Sequence, residues 1–183
     1  EIKHECGVAL LRLRKDLNYY HRKYGTPYYG FHKLSLLLEK QHNRGQDGAG
    51  IAALGLDVEP GRPYYQLEKS NRDIPLADLF ERIGTLIENE EARLADNKNI
   101  SSLSLPFCAE LYLGHLRYGT FGIRSVSACH PVVRSSSCRK HTILLAGNFN
   151  LTNTSSVFRE LVGSGHHPAS RQDSEILLLH LGH

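Results

Sequence analysis

Apolar positions along this chain repeat with two different periods, which predicts short strands and amphipathic helices in mixture. Residues 6–13 form an apolar run of strand length that ends in alternation. A loop rich in Tyr, Gly and Pro follows at 24–30. Phe31, Leu34, Leu38 and Gln41 then recur at three- and four-residue steps, predicting a helix over 31–41. A short buried strand is expected at 49–54, and another at 64–67 behind Pro60 and Pro63. Leu76, Leu79, Phe80, Ile83, Leu86 and Ile87 mark one stripe of a charged helix over 74–96. Strands are expected at 110–116 and 141–146. A helix over 152–161 opens on Thr, Asn and Ser capping candidates and is closed by Gly163, and a buried helix covers 176–181. Strands and helices in this mixture predict a layered α/β arrangement.

Composition narrows the class. With 183 residues, 40% of them apolar and 22% charged, the chain suits one globular domain and excludes wholesale disorder. No run approaches the ~18 apolar residues of a membrane span, and no secretory leader opens the chain. A net charge of +3 with scattered basic residues is too weak a field to indicate nucleic acid. The expectation is a soluble, cytoplasmic domain with no membrane or nucleic-acid partner. Cys6, Cys108, Cys129 and Cys138 form no C-x-x-C pair, and the eleven histidines include no H-E-x-x-H, so no metal site is expected. His166-His167 reads as a surface pair. The chain holds no methionine and ends in an apolar helical run without a cap, which reads as a piece of something longer.

Five blocks are candidates for chemistry. Cys6-Gly7 sets a thiol beside a residue without side-chain bulk at the mouth of a strand. A thiol needs a base to act as a nucleophile, and His4, two residues away, is the only near one; a buried structural thiol is the alternative. Arg44-Gly45-Gln46-Asp47-Gly48 joins a helix to a strand, the reverse of a phosphate loop's order, and allows close backbone approach. Arg117, at a strand end before Tyr118-Gly119-Thr120, suits a bidentate carboxylate clamp or a surface ion pair. Asn148 and the next backbone N–H suit an oxyanion hole or an ordinary Asn-rich turn. Asp173-Ser174-Glu175 reads locally as a helix cap with a first-turn acid.

In this order the blocks resemble one family, the class-II glutamine amidotransferase domain, an N-terminal-nucleophile hydrolase. The matching segments are Cys-Gly-Val at 6–8, Gln-His-Asn-Arg-Gly-Gln-Asp-Gly-Ala-Gly-Ile at 41–51, Gly-His-Leu-Arg-Tyr-Gly-Thr at 114–120, Asn-Phe-Asn-Leu-Thr-Asn at 148–153 and Asp-Ser-Glu at 173–175. Within the family the likeness runs toward the glutaminase half of the glutamine phosphoribosylpyrophosphate amidotransferases. The resemblance implies a four-layer αββα sandwich over residues 6–183, truncated at its C-terminus. It implies that Cys6 attacks the side-chain amide of glutamine, with Asn148 and the N–H of Phe149 holding the oxyanion and Gly45 leaving room. Arg117, Tyr118 and Thr120 would hold the α-carboxylate and Asp173 the α-ammonium. No cofactor is implied in this domain. The implied partners are glutamine, a phosphoribosyltransferase domain after His183 that would use the ammonia for purine synthesis, and further copies of the chain.

Three departures from the family pattern stand out. The family reads His-Asn-Gly-Asn where this chain reads Gly147-Asn148-Phe149-Asn150, and Phe149 is expected to relax to negative φ with its ring over the glutamine pocket. The turn before Arg44 carries an extra residue, Asn43. Residues 1–5 precede a cysteine that the family places first, and they resemble a short leader ending in Glu that is removed autocatalytically. The alternatives are a silent relative that binds glutamine or regulates, and a glutaminase serving another acceptor.

Overall fold

The computed structural model describes residues 5–95, 105–119 and 125–182. Among them the order is β1 (Gly7–Arg12), α1 (Leu17–Tyr24), α2 (Tyr29–Lys40), β2 (Gly48–Leu54), β3 (Tyr65–Ser70), α3 (Pro75–Ala95), β4 (Leu111–Arg117), β5 (Val132–Arg134), β6 (Ile143–Leu145), α4 (Thr154–Gly163) and α5 (Asp173–Leu181). The chain is a mixed α/β structure with antiparallel sheets. No described helix is long and apolar enough to cross a membrane.

Four strands form the larger sheet in the order β1-β4-β2-β3, all neighbours antiparallel. Its register puts Gly7 opposite Leu116, and Leu116 opposite Ala49. Because side chains alternate across a strand, Ala9, Ala49, Ile51, Ala53, Tyr112 and Leu116 share one face. That face is the core, closed by Phe31, Leu34 and Leu38 of α2 and Leu79 and Ile83 of α3. Leu34, Leu38, Leu79 and Ile83 are fully buried. Each such side chain contributes ~1.5–3 kcal/mol through burial, so truncating Leu38 to Ala removes about 2–5 kcal/mol. Pro75 starts α3, where its missing N–H costs nothing. Tyr112 is buried and satisfied: its hydroxyl donates to the Phe107 carbonyl at 2.9 Å and accepts from the Ala109 N–H at 3.0 Å.

The opposite face carries Val8, Gly50, His115 and Arg117. The segment around His130 lies on it, so close that a Cβ on Gly50 would stand 2.1 Å from the His130 carbonyl oxygen. β5 and β6 form a two-stranded antiparallel sheet, and α5 packs on both strands and on α4.

Two elements go beyond the sequence reading. Helix α1 is one, although Asp16 caps it by accepting from the Tyr19 N–H at 2.7 Å and Gly25 ends it at φ 73°. Its apolar face is made mostly of tyrosines, which blurs the periodicity. Strand β5, three residues long, gives too short a pattern to register.

Candidate functional site

The sheet order brings three separate sequence blocks to one end of β4. Cys6 stands just before β1, half-buried, and the backbone N–H of Tyr118 points at its Sγ at 3.4 Å. The Tyr118 carbonyl lies 3.9 Å from the same sulfur, so both backbone groups of residue 118 face Cys6. After α2 the chain makes a 3-10 turn at His42–Arg44 and reaches Gly45, which is extended at φ −150° and ψ 120°. A Cβ there would lie 2.6 Å from the Arg117 carbonyl carbon and 2.7 Å from that of Leu116. Glycine is therefore required at 45 by space and not by conformation. The approach is fixed by Asp47, whose N–H donates to the Arg117 carbonyl at 3.0 Å and whose Oδ2 accepts from the Gly119 N–H at 2.9 Å. Sequence reasoning does not single out Asp47. Its only signal is its place in the Gly-rich turn, with both its partners some seventy residues away.

Cys6, Gly45, Arg117 and Tyr118 are thus assembled together. Arg117 forms none of the ion pairs among the described residues. Thr120 lies outside the described residues, as do residues 1–4 of the leader-like segment, His4 included.

Asn148, Phe149 and Asp173 make a second group. The carbonyl of Gly147 is held from two sides, at 3.2 Å from His115 Nε2 and 3.0 Å from His130 Nδ1. His115 sits in β4 two residues before Arg117 and on the same face, so β4 links the two groups. The imidazole rings lie 4.7 Å apart. Burial pushes His115 down to about 3, helped by repulsion from His130, and pushes His130 down to about 4. Both are neutral at physiological pH.

Among the described non-glycine residues only Phe107 has a positive φ, so Phe149 adopts the relaxed backbone. Its ring folds back over Gly147, where a Cβ would meet its Cζ at 2.7 Å, and lies 5.6 Å from the His130 ring. Asn148 is exposed. Asp173 is engaged locally: its Oδ2 accepts from the Leu151 N–H at 2.8 Å and its Oδ1 from Thr154 Oγ1 at 2.6 Å. No hydrogen bond among the described residues joins Asn148 or Asp173 to Cys6.

The other thiols are set in different surroundings. Burial pushes Cys108 up to about 12 and also raises Cys129, whose Sγ lies 3.5 Å from the Ser70 carbonyl. Cys138 is exposed. No cluster suited to a metal ion occurs among the described residues.

No family model matches the chain. The amidophosphoribosyltransferase of Methanocaldococcus jannaschii is 30% identical over 151 residues, 82% of this chain and 24% of its own length. That of Lacticaseibacillus casei is 31% identical over 141 residues, 77% of this chain and 58% of its own. That of Pasteurella multocida is 33% identical over 139 residues, 75% of this chain and 22% of its own. The solved structure of the allosteric regulatory enzyme of purine biosynthesis shares the fold, with a TM-score of 0.53 and 21% identity over 94% of this chain and 28% of that one. The resemblance drawn from the five motifs therefore holds over most of the chain, which spans only part of each relative.

Proposed function

We propose that this chain, similar to amidophosphoribosyltransferases over 75% or more of its length, is a glutaminase domain that releases ammonia from the side chain of glutamine. The observation that carries the reading is the convergence on Cys6: a thiol half open to solvent, an N–H aimed at it, and a turn pressed against Arg117 by Gly45. In the proposed reaction Sγ bonds to the amide carbon, and the oxyanion is held by Asn148 and the N–H of Phe149. The C–N bond then breaks as the nitrogen takes a proton and leaves as ammonia. Water attacks the glutamyl thioester, giving glutamate and restoring the thiol. Arg117, with Tyr118 and Thr120, holds the α-carboxylate, and Asp173 the α-ammonium. The charged and reacting groups used are thiol, amine, amide, guanidinium and carboxylate, and the proposed chemistry requires no cofactor. Reduced thiols suit a cytoplasmic setting.

The base is proposed to be the α-amine of Cys6 itself, freed when residues 1–5 are removed. An α-amine with pKa near ~7.7 suits deprotonation of a thiol, and a peptide nitrogen does not. The ammonia is proposed to pass to a phosphoribosyl-transferring part of a longer protein, as the names of the relatives suggest, and to serve purine synthesis, which the name of the structural neighbour gives. The fold is proposed to be the αββα sandwich, supported by α2 and α3 on one sheet, α5 on the other, and the close seat of His130 on Gly50.

A second reading has one observation behind it. Both carboxylate oxygens of Asp173 are already occupied by Leu151 and Thr154, which suits a structural role and a silent domain. The test compares the full chain with one that begins at Cys6, measuring glutamate release. The shorter chain is expected to be faster by several tens of fold or more, toward the ~10²–10⁴ of general-base catalysis, and Cys6→Ala to be inactive. Equal rates would show another base, and no turnover in either would favour the silent domain.

A further inference from the structure

Away from Cys6, the end of β1, α1 and α2 enclose a cleft of about 580 Å³. That volume is in the range of small-ligand sites. Two kinds of side chain line it. Tyr20, Tyr24 and Tyr29 form a stack, with Tyr24 and Tyr29 at 4.2 Å and 19° and Tyr20 and Tyr29 at 5.0 Å and 20°. Tyr24 is 45% exposed, with the Lys23 ammonium over its ring at 5.4 Å from the centroid, and exposed Leu36 and Leu37 extend the apolar floor. Around this floor stand Arg12, Arg14 and Lys15 from the end of β1, and Lys33 and Lys40 from α2. Tyr29, Lys33, Leu36 and Lys40 fall on one stripe of α2 at steps of three and four, so ring, cation, apolar side chain and cation face the cleft together.

The charge is not balanced from within. No acidic residue lines the cleft. The ion pairs among the described residues join Arg72, Arg82 and Arg93 to carboxylates, and none involves these five cations. Lys33 stands instead over the Tyr29 ring at 5.4 Å. Five like charges around an apolar aromatic floor repel one another and favour whatever anion enters, all the more because the floor excludes water. Ring stacking and phosphate pairing are the two contacts this lining offers.

We infer that this cleft binds a small ligand made of a planar aromatic ring joined to phosphate groups, as in a nucleoside polyphosphate. The ring extends the tyrosine stack at Tyr24 by taking the place of the exposed Lys23 side chain, and the phosphates lie between the β1 cations and those of α2. The cleft has the size for one such molecule, which separates it from a track along a nucleic-acid strand.

Isothermal titration of the full chain with ATP, inorganic tripolyphosphate and adenosine tests the inference. ATP is expected to bind one to one and to weaken with added salt, while each half of the molecule binds about tenfold more weakly or worse. Tyr24→Ala should lower ATP affinity by about tenfold and leave tripolyphosphate unchanged, since it removes stacking alone. Lys33→Gln should weaken both, and circular dichroism of each variant should match the parent. The inference is overturned if ATP does not saturate the chain, or if tripolyphosphate binds as tightly as ATP and Tyr24→Ala has no effect. Tighter binding of single-stranded RNA of about ten nucleotides, growing with length, would also overturn it in favour of a nucleic-acid groove.

Discussion

Replacing Gly45 with Ala adds one methyl group at the most confined point of the site. The residue is extended at φ −150°, a conformation alanine adopts freely, so backbone strain plays no part and the effect is purely steric. The new Cβ would lie 2.6 Å from the Arg117 carbonyl carbon, 2.7 Å from its oxygen and 2.7 Å from the Leu116 carbonyl carbon. Carbon atoms rest at about 3.5–4.0 Å, so close to 1 Å must open. Strand β4 cannot easily give, because Leu116 is paired with Ala49 on one side and Gly7 on the other. The turn must lift instead, at the expense of the Asp47 bonds to Arg117 and Gly119. Overpacking costs about 1–3 kcal/mol and each of the two lost hydrogen bonds about 0.5–1.5, which together give roughly 2–6 kcal/mol. If β4 yields at its end, the Tyr118 N–H leaves Cys6, and a displacement of this size costs on the order of 10²-fold in turnover. Urea denaturation should show a lower midpoint with an unchanged slope, and glutamate release from a chain beginning at Cys6 should fall. A variant within about 0.5 kcal/mol of the parent, and equally active, would refute the clamp of this turn on Arg117.

Other expectations follow from the same contacts. Gly84 lies inside α3 with nothing within 4 Å of the place a Cβ would take, so Gly84→Ala should raise the unfolding free energy by ~0.5–1 kcal/mol, and a loss would contradict the open surface. His115 and His130 are held at about 3 and about 4 against an ordinary 6.5, so below about pH 6.5 the unfolded chain takes up protons that the folded chain refuses. Their contribution is full above 6.5 and is lost as pH falls toward the folded values, at up to ~1.4 kcal/mol per pH unit for each. His130→Gln should flatten the slope of unfolding free energy against pH in that window, and an unchanged slope would disprove the assignment. Asp173→Asn should cost about 1–2 kcal/mol of stability, because one of its two accepting oxygens becomes a donor facing Leu151 N–H or Thr154. A glutamine titration decides its other role: lost stability with unaltered affinity would leave Asp173 as a tie between α4 and its own helix.

What the sequence made legible was whatever its own neighbours determine. Helix α2 shows in the spacing of Phe31, Leu34 and Leu38, because a helix face is a local pattern. β2 shows as an unbroken apolar run, because it is a central strand buried on both faces. The glycine-rich turn announced a close backbone approach at Gly45, but the backbone that is met, Arg117 at Gly45 and His130 at Gly50, is set only in three dimensions. The five motif blocks were visible one by one, and Cys6, Gly45 and Arg117 converge through the antiparallel order β1-β4-β2, which no single block encodes. His115 lay inside a quoted motif, and nothing in its neighbours marks it as a ligand of a carbonyl thirty-two residues ahead.

The turn at 147–150 shows why residues there are better read in pairs. Taken alone, Phe149 stands where the resemblance puts glycine, and the conflict is one of φ. In the fold it is one of volume. The Phe149 ring occupies the space that a side chain on residue 147 would need, and residue 147 is the one that lacks a side chain. Bulk has moved from one position to the other, with the His130 ring against the relocated aromatic. The Gly147 carbonyl remains tethered to His115 and His130, so the turn keeps an anchor on β4 despite the exchange. Reversing position 149 alone would leave a void beside His130, and enlarging position 147 alone would drive a Cβ into the ring. The two residues act as one steric unit, and through His115 that unit is connected to the strand that carries Arg117.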